Sequence, residues 1–428
     1  MKIAFFSDCY LDLTGGIVSS INAQKAELEH LGHTVYVFST GYPKSDAELK
    51  KLAKQKIFQV PSCRLCFRGA TPVSRRPKII EKWLKNNHPE IKDFDVFYVH
   101  YESGCSIAGL RLGKKWKIPT VQVMHGREDA GEANIIPFGF RTVVALALNR
   151  IHSWYLPHKT KLIPDKRLKD TVAATKMWEL MVNHANSADL VLTPSAHFRN
   201  RLSYYGVNRP IRVFPNGFPD QNFPAKVHVK SFQKGQTLRI IWHSRLSGEK
   251  RIMVFLQALT KVTGRYQLDV YGAGLDSKKS KRYAKRHHLN VVFHGNTAFS
   301  KVQSAISRSH LDVLVSYNSD TFGMTLIEAE AYGVPVLFCD PDMAEILPRK
   351  SFIQSPDESA EGIASAINEL FNRPEMIQEM ITIMLKYREN TLISKRIKTL
   401  EKIFQILARA KNKTSLARTS DRRGANKH

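Results

Sequence analysis

No apolar run in this chain approaches the ~18 residues that a membrane-spanning helix needs. The longest near-miss, TVVALAL at 142–148, is far too short. The succession of charged, apolar and small residues that marks a secretory leader is missing as well, because MKIAFFSD passes straight into a strand pattern and an acidic residue. A cytoplasmic protein, free or bound at the inner face of a membrane, is the expectation. Cysteine is sparse. Cys9, Cys63, Cys66, Cys105 and Cys339 are odd in number and scattered, which argues against a disulfide framework. Cys63 and Cys66 form one C-x-x-C pair in PSCRLCFRG, but a structural zinc would want a second Cys or His pair at matching spacing, and none follows. Reduced thiols and no metal are expected.

Acidic residues are the other shortage. Lys and Arg number 65 against 38 Asp and Glu, a net charge of +27 that calls for an anionic partner: nucleic acid, a membrane surface or a phosphorylated substrate. The excess concentrates in 64–85 (Arg64, Arg68, Arg75, Arg76, Lys78, Lys82, Lys85), in 141–169, in KKSKRYAKRHH at 278–288, and in the tail from Arg409. That tail has almost no apolar content and is expected to be disordered over 409–428. Elsewhere apolar residues suffice for sizeable cores, and 428 residues imply two domains.

Along the chain, KIAFFSD reads as a buried strand and IVSSINAQKAELEHLG as a helix stopped by Gly32, with HTVYVFST the next strand. DVFYVH, TVQVMHG and LVLTPS follow at 95–100, 120–126 and 190–195, separated by helical patterns. Such alternation predicts an α/β fold with a parallel sheet covered on both faces. FPNGFPDQNFPAKVHVKSFQKGQ breaks the rhythm and reads as a linker over 216–237. LRIIWHSRL, YQLDVYGAG, NVVFHG, LDVLVSY and VPVLFCD then supply five more strands. Two Rossmann-like domains, 1–215 and 238–374, are predicted to face each other across a ligand cleft, with helices over 375–408 returning toward the first.

Several features fit an anionic or polyhydroxyl ligand. Gly15-Gly16, after the first strand and before a helix, would let a phosphate approach the helix amides; a plain tight turn fits equally well. Arg245 and Lys250 stand just past a strand, where two cations can neutralise a diphosphate, although two exposed basic residues in a basic protein look the same. Gly272 and Gly274 end another strand and signal close backbone approach. In SDTFGMTLIEAEAYGVPVLFCD at 319–340, a helix from about Thr325 to Tyr332, stopped at Gly333, would put the amides of Phe322, Gly323 and Met324 at its positive end. Asp320 would precede them and Glu328 lie one turn in, two acceptors for sugar or ribose hydroxyls.

This last segment resembles the signature of the retaining glycosyltransferases of family 4 with the GT-B fold: an acid, seven residues, Glu-Ala, then Gly-x-Pro-Val. The Gly-Gly loop, His125-Gly126, TPS at 193–195, FPNG at 214–217 and the Arg245/Lys250 pair extend the likeness over most of residues 1–345. The resemblance implies a nucleotide-sugar donor. Arg245 and Lys250 would hold its diphosphate, Glu328 its ribose, and Asp320 with the Phe322, Gly323 and Met324 amides its sugar. Gly15, Gly16 and Gly272 would line the donor site, and His125 would lie near the reacting centre. The resemblance also implies no metal or other cofactor. Two departures stand out: Asp320 replaces the usual Glu, and Glu330 replaces a commonly apolar residue.

FSDCYLDLTGGIVSSINAQKAELEHLGHTVYVFST and VHYESGCSIAGLRLGKKWKIPTVQVMHG are most similar to bacterial diacylglycerol glucosyltransferases, which implies UDP-glucose as donor. UDP-galactose, UDP-N-acetylglucosamine and GDP-mannose fit the same motifs. Residues 138–169 interleave apolar side chains with Arg141, Arg150, Lys159, Lys161, Lys166, Arg167 and Lys169. That composition suits an interfacial segment on anionic lipid and, equally, a core helix with a basic outer face. Phosphatidylinositol, a polyprenyl-linked sugar and an anionic wall polymer are alternative acceptors. A nucleic-acid partner is not expected, since no recognition motif accompanies the charge. A non-catalytic scaffold is disfavoured because Arg245, Lys250, Glu328 and His125 are all present.

Overall fold

The computed structural model describes residues 1–8, 15–62, 74–129, 136, 138–165, 168, 171–227 and 230–425, with backbone alone at 138 and 412–425. Cys9, Cys63, Cys66, Arg64, Arg68, Lys166, Arg167 and Lys169 lie outside the described residues. The chain packs as two compact units: Met1–Pro215 together with the residues from Arg396 onward, and Asn216–Lys395.

The first unit holds a seven-stranded parallel sheet in the order β3-β2-β1-β4-β5-β6-β7. Its strands are β1 (Lys2–Ser7), β2 (Thr34–Ser39), β3 (Ile57–Gln59), β4 (Val96–His100), β5 (Thr120–Val123), β6 (Leu190–Thr193) and β7 (Ile211–Val213). Helices α1 (Gly16–His30), α2 (Asp46–Lys54), α3 (Pro77–Asn87), α4 (Gly104–Trp116), α5 (Arg141–Ser153), α6 (Thr171–Ser187) and α7 (Ala196–Tyr204) connect them. Side chains alternate along a strand, so Ile3 and Phe5 enter one apolar cluster while Ala4 and Phe6 enter the cluster on the opposite face. Both faces are covered, which is why KIAFFS reads as an uninterrupted apolar run.

The second unit has six parallel strands ordered β10-β9-β8-β11-β12-β13. They are β8 (Leu238–His243), β9 (Tyr266–Tyr271), β10 (Val291–Gly295), β11 (Leu311–Leu314), β12 (Val336–Phe338) and β13 (Phe352–Gln354). The helices are α8 (Ile252–Leu259), α9 (Ser277–Arg286), α10 (Phe299–Ile306), α11 (Met324–Ala331), α12 (Ala360–Asn372) and α13 (Glu375–Tyr387); a last helix, α14, runs Ile393–Ala425. In each sheet the strand order reverses beside its first strand, between β1 and β4 and between β8 and β11. The carboxyl ends of strands at such a reversal are where open α/β sheets bind ligands.

Three expectations need correction. Residues 216–237, expected as a linker between the domains, belong to the second unit: Phe218 and Phe232 are buried in two of its clusters, because aromatic side chains there outweigh the turn-forming residues around them. Of the helices over 375–408 expected to return to the first domain, only the last does so. Ile377, Met380 and Ile381 of α13 pack into the second unit, while Ile397, Leu400, Ile403 and Phe404 of α14 join the core of the first. The tail from 409 is helical as far as Ala425, in keeping with its Ala, Leu, Lys and Arg, all good helix formers.

Candidate active site

The loop after β11 is shaped by two left-handed residues. Asn318 has φ +50°, a conformation asparagine tolerates, and its amide donates to Asp340 at 2.6 Å. Gly323 has φ +66°, and a Cβ there would sit 2.8 Å from Leu314 Cδ2, so the position demands glycine. Gly323 is the N-cap of α11, with no side chain capping that helix end. The helix stops at Gly333, φ +65°, whose amide donates back to the Glu330 carbonyl. The chain between these two glycines is therefore an eight-residue helix, Met324–Ala331, with the amide end aimed out of the Asp320 loop.

Asp320 is not a lone carboxylate. Its two oxygens lie 2.6 and 2.9 Å from Lys250 Nζ, and the Ser316 hydroxyl donates to it. Burial by itself would raise this carboxyl, but the Lys250 ammonium and the Ser316 hydroxyl, helped by Arg245, hold it below the usual carboxylate range. Arg245 differs from Lys250. Its side chain is 73% exposed and its guanidinium approaches Glu249 at 3.3 Å. The two basic residues expected to act as one clamp thus have separate counter-ions, one enclosed and one in solvent. Gly272 and Gly274 make a close approach to the chain itself: a Cβ on either would run into the carbonyl oxygens of Ser244 or Leu246. They let the β9 end pack against the turn that carries Arg245.

Glu328 meets a residue that sequence reasoning missed. His243, at the end of β8, lies 3.2 Å from Glu328 through Nδ1 and 2.5 Å from Asp312 through Nε2. The register explains the contact. Asp312 pairs opposite Ile241, and His243, two residues on, points to the same face. Burial alone would lower the imidazole, but Asp312 and Glu328 overcome it and hold it up at about 10. His243 is therefore a cation between two carboxylates at neutral pH. WHS and LDV each carry a polar residue inside or at the end of an apolar strand run, which was the available signal.

In the first unit, the ends of β1, β4 and β5 bring together Asp8, His100, Glu102 and His125. His100 Nδ1 and His125 Nε2 share a hydrogen bond at 3.0 Å, with rings stacked at an interplanar angle of 16°. Burial lowers His125 to about 4, so it is neutral at physiological pH and can exchange hydrogen bonds but carries no charge. Asp8 caps α4, accepting from the Cys105 and Ser106 amides at 2.9 and 3.1 Å and from the Ser106 hydroxyl at 2.7 Å. Burial, then Glu128 and Asp8, push the Glu102 carboxyl well up. Gly15 is the N-cap of α1, with open space where a Cβ would stand. His100 closes β4, and Asp8 and Glu102 lie just past the ends of β1 and β4; none of the three was singled out in the sequence.

On the surface of this unit, α5 buries only Ala145 and His152. Val143, Leu146 and Ile151 are exposed, as are the flanking Phe140 and Trp154, both 66% accessible. The helix thus has two apolar edges: Val143, Leu146 and Ile151 face outward, while Ala145, with Leu148 against it, packs on Ala173, Met177 and Leu180 of α6. Among the described residues no helix is long and apolar enough to cross a membrane.

Comparison with known proteins agrees with this architecture. Residues 14–222 match the model of Glycosyltransferase Family 4, and residues 225–385 that of Glycosyl transferases group 1. The chain is 24% identical over 361 residues to the alpha-monoglucosyldiacylglycerol synthase of Streptococcus pneumoniae, covering 79% of this chain and 70% of that one. It is 21% identical over 352 residues to the phosphatidyl-myo-inositol mannosyltransferase of Mycobacterium tuberculosis, covering 80% and 78%. Among solved structures, Anabaena HepE in complex with UDP superposes with a TM-score of 0.65 at 15% identity, covering 95% of this chain and all of that one. Sucrose-phosphate synthase from Thermosynechococcus elongatus gives 0.68 at 13% identity, with 96% and 99% covered. With both halves matched and the two Rossmann-like sheets shared, the chain belongs to the family 4 glycosyltransferases of the GT-B fold and is an enzyme of the transferase class.

Proposed function

We propose that this enzyme transfers glucose from UDP-glucose to the hydroxyl of a membrane lipid such as diacylglycerol, with retention of the anomeric configuration. The observation that carries the lipid acceptor is the outward apolar face of α5, bordered by Arg141 and Arg150, on a chain whose relatives include a glucosyldiacylglycerol synthase. The donor reading draws on the HepE structures with UDP and with UDP-glucose. Lys250, Arg245 and the amide end of α11 would stabilise the diphosphate as negative charge grows on it. Glu328 would accept from the ribose hydroxyls, and Asp320, steadied by Lys250, from the sugar. Gly15 and Gly16 would bring the start of α1 to the donor phosphates. The sugar's C1 bond to the diphosphate breaks, a bond to the acceptor oxygen forms on the same face, and the acceptor proton passes to the departing phosphate. Neutral His125 would hold a sugar hydroxyl by hydrogen bonding. No step calls on a metal, and the enzyme would work at the inner membrane face.

The test is to incubate the purified protein with labelled UDP-glucose and anionic liposomes, with and without diacylglycerol. Label in the lipid phase that depends on diacylglycerol, persists in EDTA and is lost in Glu328→Ala is the expected result. Turnover only with phosphatidylinositol or with soluble acceptors would overturn the diacylglycerol assignment. Phosphatidylinositol is the second reading, and the mannosyltransferase relative is what favours it.

A further inference from the structure

Glu328 owes its place to more than the helix it stands on. Only 16% of its side chain is exposed, and the contact that orients it is with His243, whose ring is 4% exposed and leans on a fully enclosed Asp312. We propose that His243 is a positioning residue for the donor: bridging Asp312 and Glu328, it fixes the Glu328 carboxylate toward the ribose, so that donor affinity depends on a chain of three residues from three elements. This rests on the reading of Glu328 as the ribose acceptor given above.

The physics is that of a buried charge that needs a partner. A carboxylate this enclosed, without a nearby cation, either takes up a proton or turns away. As a neutral acid it would keep only part of its acceptor capacity, and the charge-assisted hold on both ribose hydroxyls would be lost. His243 prevents that. Among the described residues, the charged groups facing it are Asp312 from β11 and Glu328 from α11, while Tyr332, at the end of α11, faces Glu328 in turn. Asp312 is the stronger hold, at 2.5 Å against 3.2 Å, so it keeps the imidazole charged and leaves the second ring nitrogen to donate to Glu328. Because the ring titrates only near 10, donor affinity in the native enzyme should be flat from about pH 6 to 9.

Substitution gives two opposite pH signatures, which a merely structural role would not produce. In His243→Gln the Asp312 and Glu328 carboxylates are left without the cation between them, and the pair takes up a proton as pH falls; donor KM should rise roughly ten- to hundredfold and recover as pH increases, with kcat little changed. In Asp312→Asn the imidazole loses its main anion and becomes neutral as pH rises, so donor KM should worsen in the alkaline direction. Glu328→Gln should raise donor KM at every pH. Native donor KM and a flat profile in His243→Gln, beside an impaired Glu328→Gln, would overturn the inference alone. An unimpaired Glu328→Gln would instead sink the reading of Glu328. Should His243→Gln not fold, the near-isosteric Asp312→Asn carries the kinetic test. Independently, NMR of 15N-histidine in the native protein should show one imidazole doubly protonated at pH 8, and its absence would refute the bridge.

Discussion

Gly323 illustrates how one residue holds a site together. It combines a left-handed backbone with a side-chain position already filled by Leu314, and it opens the helix that carries Glu328. Gly323→Ala should therefore cost about 1–3 kcal/mol in stability and weaken donor binding as the helix start shifts; thermal melts and donor KM measure both. A native KM with a lowered melting point would separate the turn from the site. At this scale the sequence displayed residue types but not their partners. Lys250 and Asp320 were visible as a cation and an acid seventy positions apart, and only the fold shows that they neutralise each other. His243 was hidden for a different reason. A lone histidine ending an apolar strand looks like core until the register with β11 places Asp312 beside it. Gly272 was legible as a position of close approach, but what approaches is the chain's own Ser244 carbonyl.

At the level of elements, the strands set in apolar runs were legible, including the three-residue β12 in VPVLFCD, and three others were not. β3, β7 and β13 are three residues each and mostly half-buried, so no apolar run marks them, whereas β12 is wholly buried. The expected linker failed because Pro and Gly mark turns without saying what the intervening Phe side chains do. The most telling element is α5, which packs Ala145 inward yet leaves Val143, Leu146 and Ile151 in solvent. Since Val143 and Leu146 are already in solvent, charging them should leave stability intact. A Val143→Asp/Leu146→Asp variant is expected to melt like the native protein yet lose roughly tenfold or more in co-sedimentation with anionic vesicles, given about 1.5–3 kcal/mol for each large apolar side chain buried. High salt should weaken native binding too, through Arg141 and Arg150. Unchanged sedimentation of the variant would exclude α5 as the docking face.

For the whole molecule, the decisive fact is that its first unit is not continuous in sequence. Ile397, Leu400, Ile403 and Phe404 fill the same cluster as Ile3, Phe5 and Tyr98. Four such side chains contribute on the order of 6–12 kcal/mol of burial, comparable with the net stability of a typical domain. A chain ending at Lys395 should leave the second unit cooperative and the first unit destabilised or aggregated. Limited proteolysis and two-transition calorimetry would show this, and an unaltered first transition would refute it.

That discontinuity also governs the order of events during synthesis. The residues that complete the first unit emerge only after all of Asn216–Lys395 has been made. At roughly 5–20 residues per second the wait is on the order of 10–40 s, during which the apolar face beneath α14 has no cover of its own. The newborn enzyme thus passes through an interval in which its second half is complete and its first is not. Until α14 arrives, that uncovered face is the part of the chain most exposed to aggregation.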